Sequence, residues 1–288
     1  MGAKTLTIAA LAAMALAGGA PPCRAAEPAG LPGYLSDRGD GIPTSLLATY
    51  IREKEFLFYP FYEYTRFRNF EYSPKDLGVR GPREDDKFFG KRVEREGLVF
   101  LAYAFSDSLA VEFESAVYSS VDFTKAADDN TAVPDRLRER GLGDTEANIR
   151  WRYSKETATR PEAILFLKTV FPLQKNKELL GSKHLQLEPG IVLTKGFSFG
   201  TLALRGSANY DRGERKLSFS GYAVDYVKRL SPAWRVAFSL EGHEDELSAI
   251  GEVQYTLSKN AVLKLNSGFG VTKKAPTFAP EIGVLFSF

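Results

Sequence analysis

The chain has 288 residues, of which 12% are aromatic, 26% charged and 44% hydrophobic. These values exclude a disordered chain, and so many charges exclude a helical membrane bundle. The 38 basic and 36 acidic side chains nearly cancel. We therefore expect no nucleic-acid partner, because electrostatic nucleic-acid binders carry a concentrated excess of Lys and Arg. One Cys and two His leave little material for a zinc site or a thiol catalyst, and we expect no metal and no cofactor.

Residues 1–25 have the features of an export signal. Lys4 supplies the positive charge, and an almost purely apolar stretch rich in Ala and Leu runs from Leu6 to Ala17. A retained membrane anchor is the weaker interpretation, because the run is shorter than the ~20 residues that a bilayer requires.

The predicted cleavage site lies near Ala25 or Ala26. Cleavage after Ala20 is disfavoured, because Pro21 would follow the scissile bond. A lipoprotein signal is an alternative, although prolines rather than small residues precede Cys23. Cleavage near Ala25 removes the single Cys, so disulfides play no part in the expected mature chain.

The rest of the chain repeats an alternation of apolar and polar residues with a period of two. Segment 146–153 is typical: Ala147, Ile149, Trp151 and Tyr153 alternate with Glu146, Asn148, Arg150 and Arg152. Successive side chains of a strand point to opposite faces, so each such segment has one apolar and one polar face.

About twelve strands follow from this pattern. They are 55–69, 91–105, 108–124, 143–156, 161–172, 184–195, 198–211, 216–229, 233–243, 247–257, 260–271 and 277–288. The connections alternate between tight turns and longer loops, most clearly in the first half of the chain. We therefore predict an all-β fold, an antiparallel up-and-down transmembrane barrel over residues 55–288 with short periplasmic turns and longer extracellular loops. A soluble sandwich is the alternative.

Two of these strands carry imperfections. Pro60 has no N–H to donate, which predicts a bulge or irregular pairing in the first strand. In segment 216–229 the apolar residues change parity between Phe219 and Tyr222, which also predicts a bulge.

The last strand ends in a distinctive pattern. A polar residue, a glycine and two aromatics with the final one at the C-terminus stand at Glu281, Gly283, Phe286 and Phe288. This ending resembles the C-terminal targeting signature of bacterial outer-membrane barrels. The resemblance implies the barrel assembly machinery as a partner and the outer membrane as the location.

A second resemblance begins at a turn. Residues 141–144 (Gly-Leu-Gly-Asp) lead into the alternating strand 148–153, and a later strand ends at Pro172. This arrangement resembles the outer-membrane family linked to the meta-pathway of phenol degradation, over residues 141–288. The resemblance implies a transport-related barrel and assigns no solute.

The polar faces of the predicted strands indicate what lines the interior of the barrel. The candidate lumen residues carry both signs of charge in similar number: Glu112, Glu114, Glu146, Arg150, Arg152, Lys168, Glu188, Arg205, Arg235, Glu241, Glu252 and Lys264. Twelve strands lie between the filled interior of eight and the wide channel of sixteen. We expect a narrow channel for small solutes, and the alternative is a closed structural or adhesive barrel without transport.

The apolar faces are expected to contact outer-membrane lipids. Large amphipathic rings lie toward the strand ends, as in interfacial aromatic girdles: Tyr103, Trp151, Tyr153, Tyr210, Trp234 and Tyr255.

Residues 26–54 precede the predicted barrel and are rich in Gly and Pro. A short helix from Thr44 to Ile51, capped by Thr44 or Ser45, is the predicted element here. The segment lies either in the periplasm or in the lumen as a plug.

An enzymatic alternative depends on His243, since some outer-membrane barrels are lipid hydrolases. Acidic residues and Ser248 lie near it, but their spacing matches no hydrolase motif. The acidic pairs at residues 85–86 and 128–129 lack a glycine-spaced calcium loop, so solvated loops are expected there.

Overall fold

The computed structural model describes residues 30–213 and 215–288. The predicted signal segment, residues 1–25, lies outside the described residues. No helix in the described part of the chain is long and apolar enough to cross a bilayer.

The described chain is almost entirely β-structure, with short 3₁₀ turns at Gly33–Leu35 and Pro74–Leu77. Its strands are β1 Ile42–Pro43, β2 Tyr50–Ile51, β3 Phe56–Tyr72, β4 Phe88–Ala104, β5 Leu109–Thr124, β6 Arg136–Gly141, β7 Thr145–Ser154, β8 Glu162–Phe171, β9 Gln186–Phe197, β10 Gly200–Asp211, β11 Lys216–Arg229, β12 Trp234–His243, β13 Glu246–Ser258, β14 Ala261–Gly270 and β15 Ala279–Ser287.

The strands from β3 onward form one closed antiparallel barrel. Strand β15 pairs with β3, which closes the ring. Strands β6 and β7 share one position, because β7 pairs with residues 109–115 of β5 and β6 with residues 119–124. The thirteen strands β3 to β15 therefore occupy twelve positions. This confirms the predicted up-and-down barrel of about twelve strands.

Strand β6 lies within a segment that the alternation predicts to be a loop, 125–142, and that prediction is wrong here. Its sequence, Arg-Leu-Arg-Glu-Arg-Gly, has Leu137 as its one hydrophobic side chain, so hydrophobic alternation gives no signal. Charge pairing holds it instead, since Arg136 and Arg138 both contact the carboxylate of Asp122 on β5.

Both predicted irregularities are confirmed. The pairing of β15 with β3 is interrupted opposite Tyr59 and Pro60 and resumes at Phe58. On β11, Ser220 has no partner between the pairs formed by Phe219 and Gly221 with β10. This extra residue explains why the apolar parity of β11 changes.

The barrel wall separates an apolar outside from an inside in which both charged and apolar side chains are buried. Ile149 and Phe238, on the outer face, are 52% and 55% exposed. Arg150 and Lys264, on the inner face, are 2% and 1% exposed. An exposed apolar outer face and buried charges both differ from a water-soluble domain, in which charged residues are almost never fully buried unless they are paired.

Candidate functional site

A hairpin formed by residues 42–51, here called the internal hairpin, is the central feature of the barrel interior. Strands β1 and β2 pair Ile42 with Ile51 and Pro43 with Tyr50. At its tip the Thr44 N–H donates to the Thr49 carbonyl over 2.9 Å, and Ala48 takes a left-handed conformation with φ of 52°. The predicted helix from Thr44 to Ile51 is therefore wrong: a tight reversal closes here, and long-range contacts hold it.

Barrel side chains reach the internal hairpin from opposite walls. Arg150 on β7 donates to the Pro43 carbonyl over 3.1 Å, and Gln254 on β13 donates to the Ala48 carbonyl over 3.2 Å. Strands β7 and β13 lie six positions apart in a ring of twelve. Contact with both walls places the internal hairpin inside the barrel, and the polar donors satisfy carbonyls that no sheet pairs.

Buried ion pairs hold the chain where it enters the barrel. Arg38 contacts Glu156 at 3.0 Å and Glu162 at 3.4 Å, with side chains only 1–2% exposed. Glu162 also binds Arg152 at 2.9 Å, and Glu156 binds Lys195 at 2.8 Å. The acids thus share cations from the entering segment and from the wall, which compensates their burial.

The entry lies at the end of the barrel that carries the short turns. Glu156 lies in the turn between β7 and β8, two residues after the end of β7. Asp37 accepts hydrogen bonds from Lys228 at 3.3 Å and from the Arg229 N–H at 3.0 Å, beside the turn between β11 and β12. The internal hairpin therefore extends from the short-turn end toward the middle of the barrel.

The predicted lumen residues largely meet one another as ion pairs. The distances are 2.8 Å for Glu112–Arg150, 2.8 Å for Glu188–Lys168, 3.7 Å for Glu146–Lys168, 3.0 Å for Glu241–Arg205 and 3.3 Å for Glu252–Lys264. Arg152 binds Glu162, and Arg235 contacts only uncharged oxygens. Glu114 has no basic partner among the described residues and stands opposite Glu146 in the β5–β7 register.

Sequence reasoning missed two interior acids, Glu63 and Glu96. They lie in one register row with Glu281 across β4, β3 and β15. Each accepts a hydrogen bond from a hydroxyl group: Thr65 donates to Glu63, Ser119 to Glu96 and Tyr59 to Glu281. Alternation does not assign Glu96 to the inner face, because both faces of the following segment, 97–104, are apolar.

Two cavities border the internal hairpin tip. The inner cavity, of 70 Å³, lies between the hairpin and the wall and is lined by Arg205, Asp225, Ser239 and Glu241. The lower vestibule, of 350 Å³, lies at the short-turn end beside Arg229, Arg235 and Lys259. Residues 48–50 line both cavities.

The remaining candidate residues form no assembled chemical site. The His243 imidazole makes no hydrogen bond to any described residue, and Asp129 is engaged by Tyr72 and Thr131. Within residues 30–213 and 215–288, no group of three metal-binding side chains is close enough to hold an ion. The C-terminal aromatics pair with β3, Phe286 with Phe58 and Phe288 with Phe56, at ring-centre distances of 6.2 and 6.3 Å.

Solved structures share this architecture. An outer membrane channel from Pseudomonas putida F1 aligns with a TM-score of 0.60 at 13% identity, over 85% of this chain and 99% of that one. The translocator domain of autotransporter NalP from Neisseria meningitidis aligns with a TM-score of 0.50 at 9% identity, over 83% of this chain and 90% of that one. The likeness shows the fold: a closed outer-membrane-type barrel.

Outer membrane phospholipase A from Escherichia coli also aligns, with a TM-score of 0.44 at 9% identity, over 85% of this chain and 92% of that one. No family model and no curated protein matches the chain. The resemblance of residues 141–288 to the phenol meta-pathway family therefore stays a prediction.

Proposed function

We propose that this chain is an outer-membrane channel that passes small polar solutes through a narrow path beside the internal hairpin. The observation that carries the proposal is the sharing of residues 48–50 by the inner cavity and the lower vestibule. Two cavities with charged side chains in their linings thus meet at the hairpin tip.

The location in a membrane follows from the closed barrel and its exposed apolar outer face. A closed barrel satisfies its backbone hydrogen bonds within the wall, and the exposed apolar belt suits the hydrocarbon of a bilayer. The predicted signal peptide and the C-terminal residues Glu281, Gly283, Phe286 and Phe288 support the outer membrane, with lipids and the barrel assembly machinery as partners.

The narrowness of the path sets the size of the solute. Liquid water occupies about 30 Å³ per molecule. The inner cavity of 70 Å³ therefore has room for only a few water-sized groups at a time. Its lining of Arg205, Asp225 and Glu241 favours ions and small polar molecules over apolar ones. The resemblance of residues 141–288 to a transport-related family supports passage and assigns no solute.

A closed structural or adhesive barrel is the second candidate. It is favoured by the ion pairs and hydrogen bonds that anchor the internal hairpin on opposite walls. The two candidates differ in one property, since only the channel conducts.

Recording in planar bilayers tests the channel. Purified, folded protein is expected to show small, uniform conductance steps. Arg205→Gln leaves Glu241 and Asp225 uncompensated beside the path, so the permeability ratio should shift toward cations. Lys216→Gln is the matched control and should leave the ratio unchanged, because Lys216 is exposed at the start of β11 and does not line the inner cavity. Absence of steps from protein with normal circular dichroism would exclude the channel and favour the closed barrel.

A further inference from the structure

We propose that the lower vestibule binds the carboxylate or phosphate group of a small anionic solute, with Arg235 as the principal contact. The site does not depend on conduction, because it is defined at the short-turn end of the barrel in either a channel or a closed barrel.

Two arginines face each other at this site. Arg229 on β11 and Arg235 on β12 are direct partners in the register of the two strands. Both share the inward parity of the buried residues Val227 and Ala237. The register therefore places two guanidinium side chains on the inner face at the short-turn end of the barrel.

The guanidinium of Arg235 is only partly used. Its Nη1 donates to the Ala48 carbonyl at 3.4 Å and to Gln254 Oε1 at 3.2 Å. Both of these bonds use Nη1, and Nη2 makes no hydrogen bond to a described residue. Nε is also unpaired, but it is buried. A planar guanidinium recognises carboxylate and phosphate oxygens through its N–H groups, so the unpaired Nη2 suits these ligands.

The charged side chains that line the vestibule carry more positive than negative charge. Arg38 is paired with Glu156 and Glu162, and Arg52 lies 3.4 Å from Asp40. Glu55 also lines the vestibule, and its carboxylate accepts a hydrogen bond from the Arg52 N–H. Lys259, in the turn after β13, has no acidic partner among the described residues. Arg235 and Lys259, which line the cavity without an acidic partner among the described residues, therefore outnumber the one acid, Glu55, that has no cationic partner there.

The space fits a small solute. At 350 Å³ the vestibule lies near the lower end of the range of about 300–1,000 Å³ found for small-molecule pockets. Hydroxyl groups of Ser231, Thr256 and Ser258 line the same space and can donate to further anion oxygens. The lining thus combines an excess of positive charge with neutral donors, which is the chemistry that an anionic group requires.

Isothermal titration calorimetry of the folded full chain in an uncharged detergent tests the site. Inorganic phosphate and succinate are the probes, at constant ionic strength, and succinamide is the uncharged control. We expect millimolar or tighter binding of at least one anion and none of succinamide. Comparing the two anions tells whether phosphate or carboxylate is preferred.

Variants assign the contact. Arg235→Gln should weaken anion binding at least tenfold, and Lys259→Gln several-fold, whereas Lys216→Gln at the other end of the barrel should have no effect. Lys259 is exposed in a turn and makes no contact with the internal hairpin, so it decides the outcome if Arg235→Gln does not fold. Absence of binding to the wild-type chain, or binding that neither Arg235→Gln nor Lys259→Gln weakens, would overturn the proposal.

Discussion

Lys264 on β14 donates a hydrogen bond to the main-chain carbonyl of Leu47 over 2.9 Å, across 217 positions of sequence. The same ammonium group donates to the Thr49 hydroxyl at 2.9 Å and lies 3.3 Å from Glu252. One buried cation thus joins the tip of the internal hairpin to two wall strands. The Lys264 ammonium group therefore both holds the internal hairpin and compensates the buried charge of Glu252.

Lys264→Met should lower the free energy of unfolding by about 3–5 kcal/mol, the usual effect of removing one partner of a buried ion pair. The cause is the buried carboxylate of Glu252, which loses its cation. Adding Glu252→Gln should recover part of the loss, because the remaining group is neutral. Urea unfolding in detergent micelles, followed by tryptophan fluorescence, measures both; equal stability of the single and double variants would contradict the pairing.

A cysteine pair tests the position of the internal hairpin. Ala48 packs in one buried cluster with Val227 and Ala237 of the wall. In a Cys23→Ser background, Ala48→Cys combined with Ala237→Cys should form a reversible crosslink under mild oxidation, detected by gel mobility. Ala48→Cys combined with Ala110→Cys, on a different wall, should not. Crosslinking of neither pair would contradict the internal position.

The loop at residues 125–135 should open in acid. Burial alone would raise the pKa of Asp129, but hydrogen bonds from Tyr72 and Thr131 outweigh it and hold that pKa below its ordinary value. A lowered pKa gives stability that is complete above the ordinary Asp value of about 3.9 and is lost as pH falls through the lower folded value. Pepsin cleavage in loop 125–135 should therefore rise steeply below about pH 4. Asp129→Asn should flatten this dependence, and an unchanged pH profile would refute the assignment.

The C-terminal signature predicts an assembly defect. Phe288→Ser should reduce the amount of folded, heat-modifiable protein in the outer-membrane fraction, because the terminal aromatic of the signature is lost. Phe269→Ser on β14 is the control, because Phe269 is also an outward aromatic, 52% exposed against 69% for Phe288. Equal assembly of the Phe288→Ser variant and the wild type would show that the ending is an ordinary strand.

The barrel strands could be predicted because their signal is local. Segment 233–243 was predicted from alternation alone, and the structure has β12 at Trp234–His243. The parity of β7 likewise predicts that Arg150 and Arg152 point inward. The barrel requires only that each strand has one apolar face, and the sequence of a single strand of about ten residues shows that property.

The internal hairpin could not be predicted in this way. Its sequence has no alternation, and its conformation depends on Arg150, Gln254 and Lys264, which lie more than a hundred residues away in the chain. Alternation indicates that Arg150 faces inward but not that its guanidinium meets Pro43. The burial of Glu156 could not be predicted for a similar reason. Glu156 lies in a turn, where polar residues are usual and do not indicate burial.

Single-channel conductance with and without the internal hairpin tests the central claim most directly. Deleting residues 30–51 removes the hairpin and its anchor at Arg38, and leaves every barrel strand in place. Heat-modifiable migration in gels confirms that the variant barrel is closed. We expect small conductance steps from the wild type and conductance steps several-fold larger from the variant, because the hairpin narrows the path. Equal conductance of the two proteins, or no conductance from either, would contradict it.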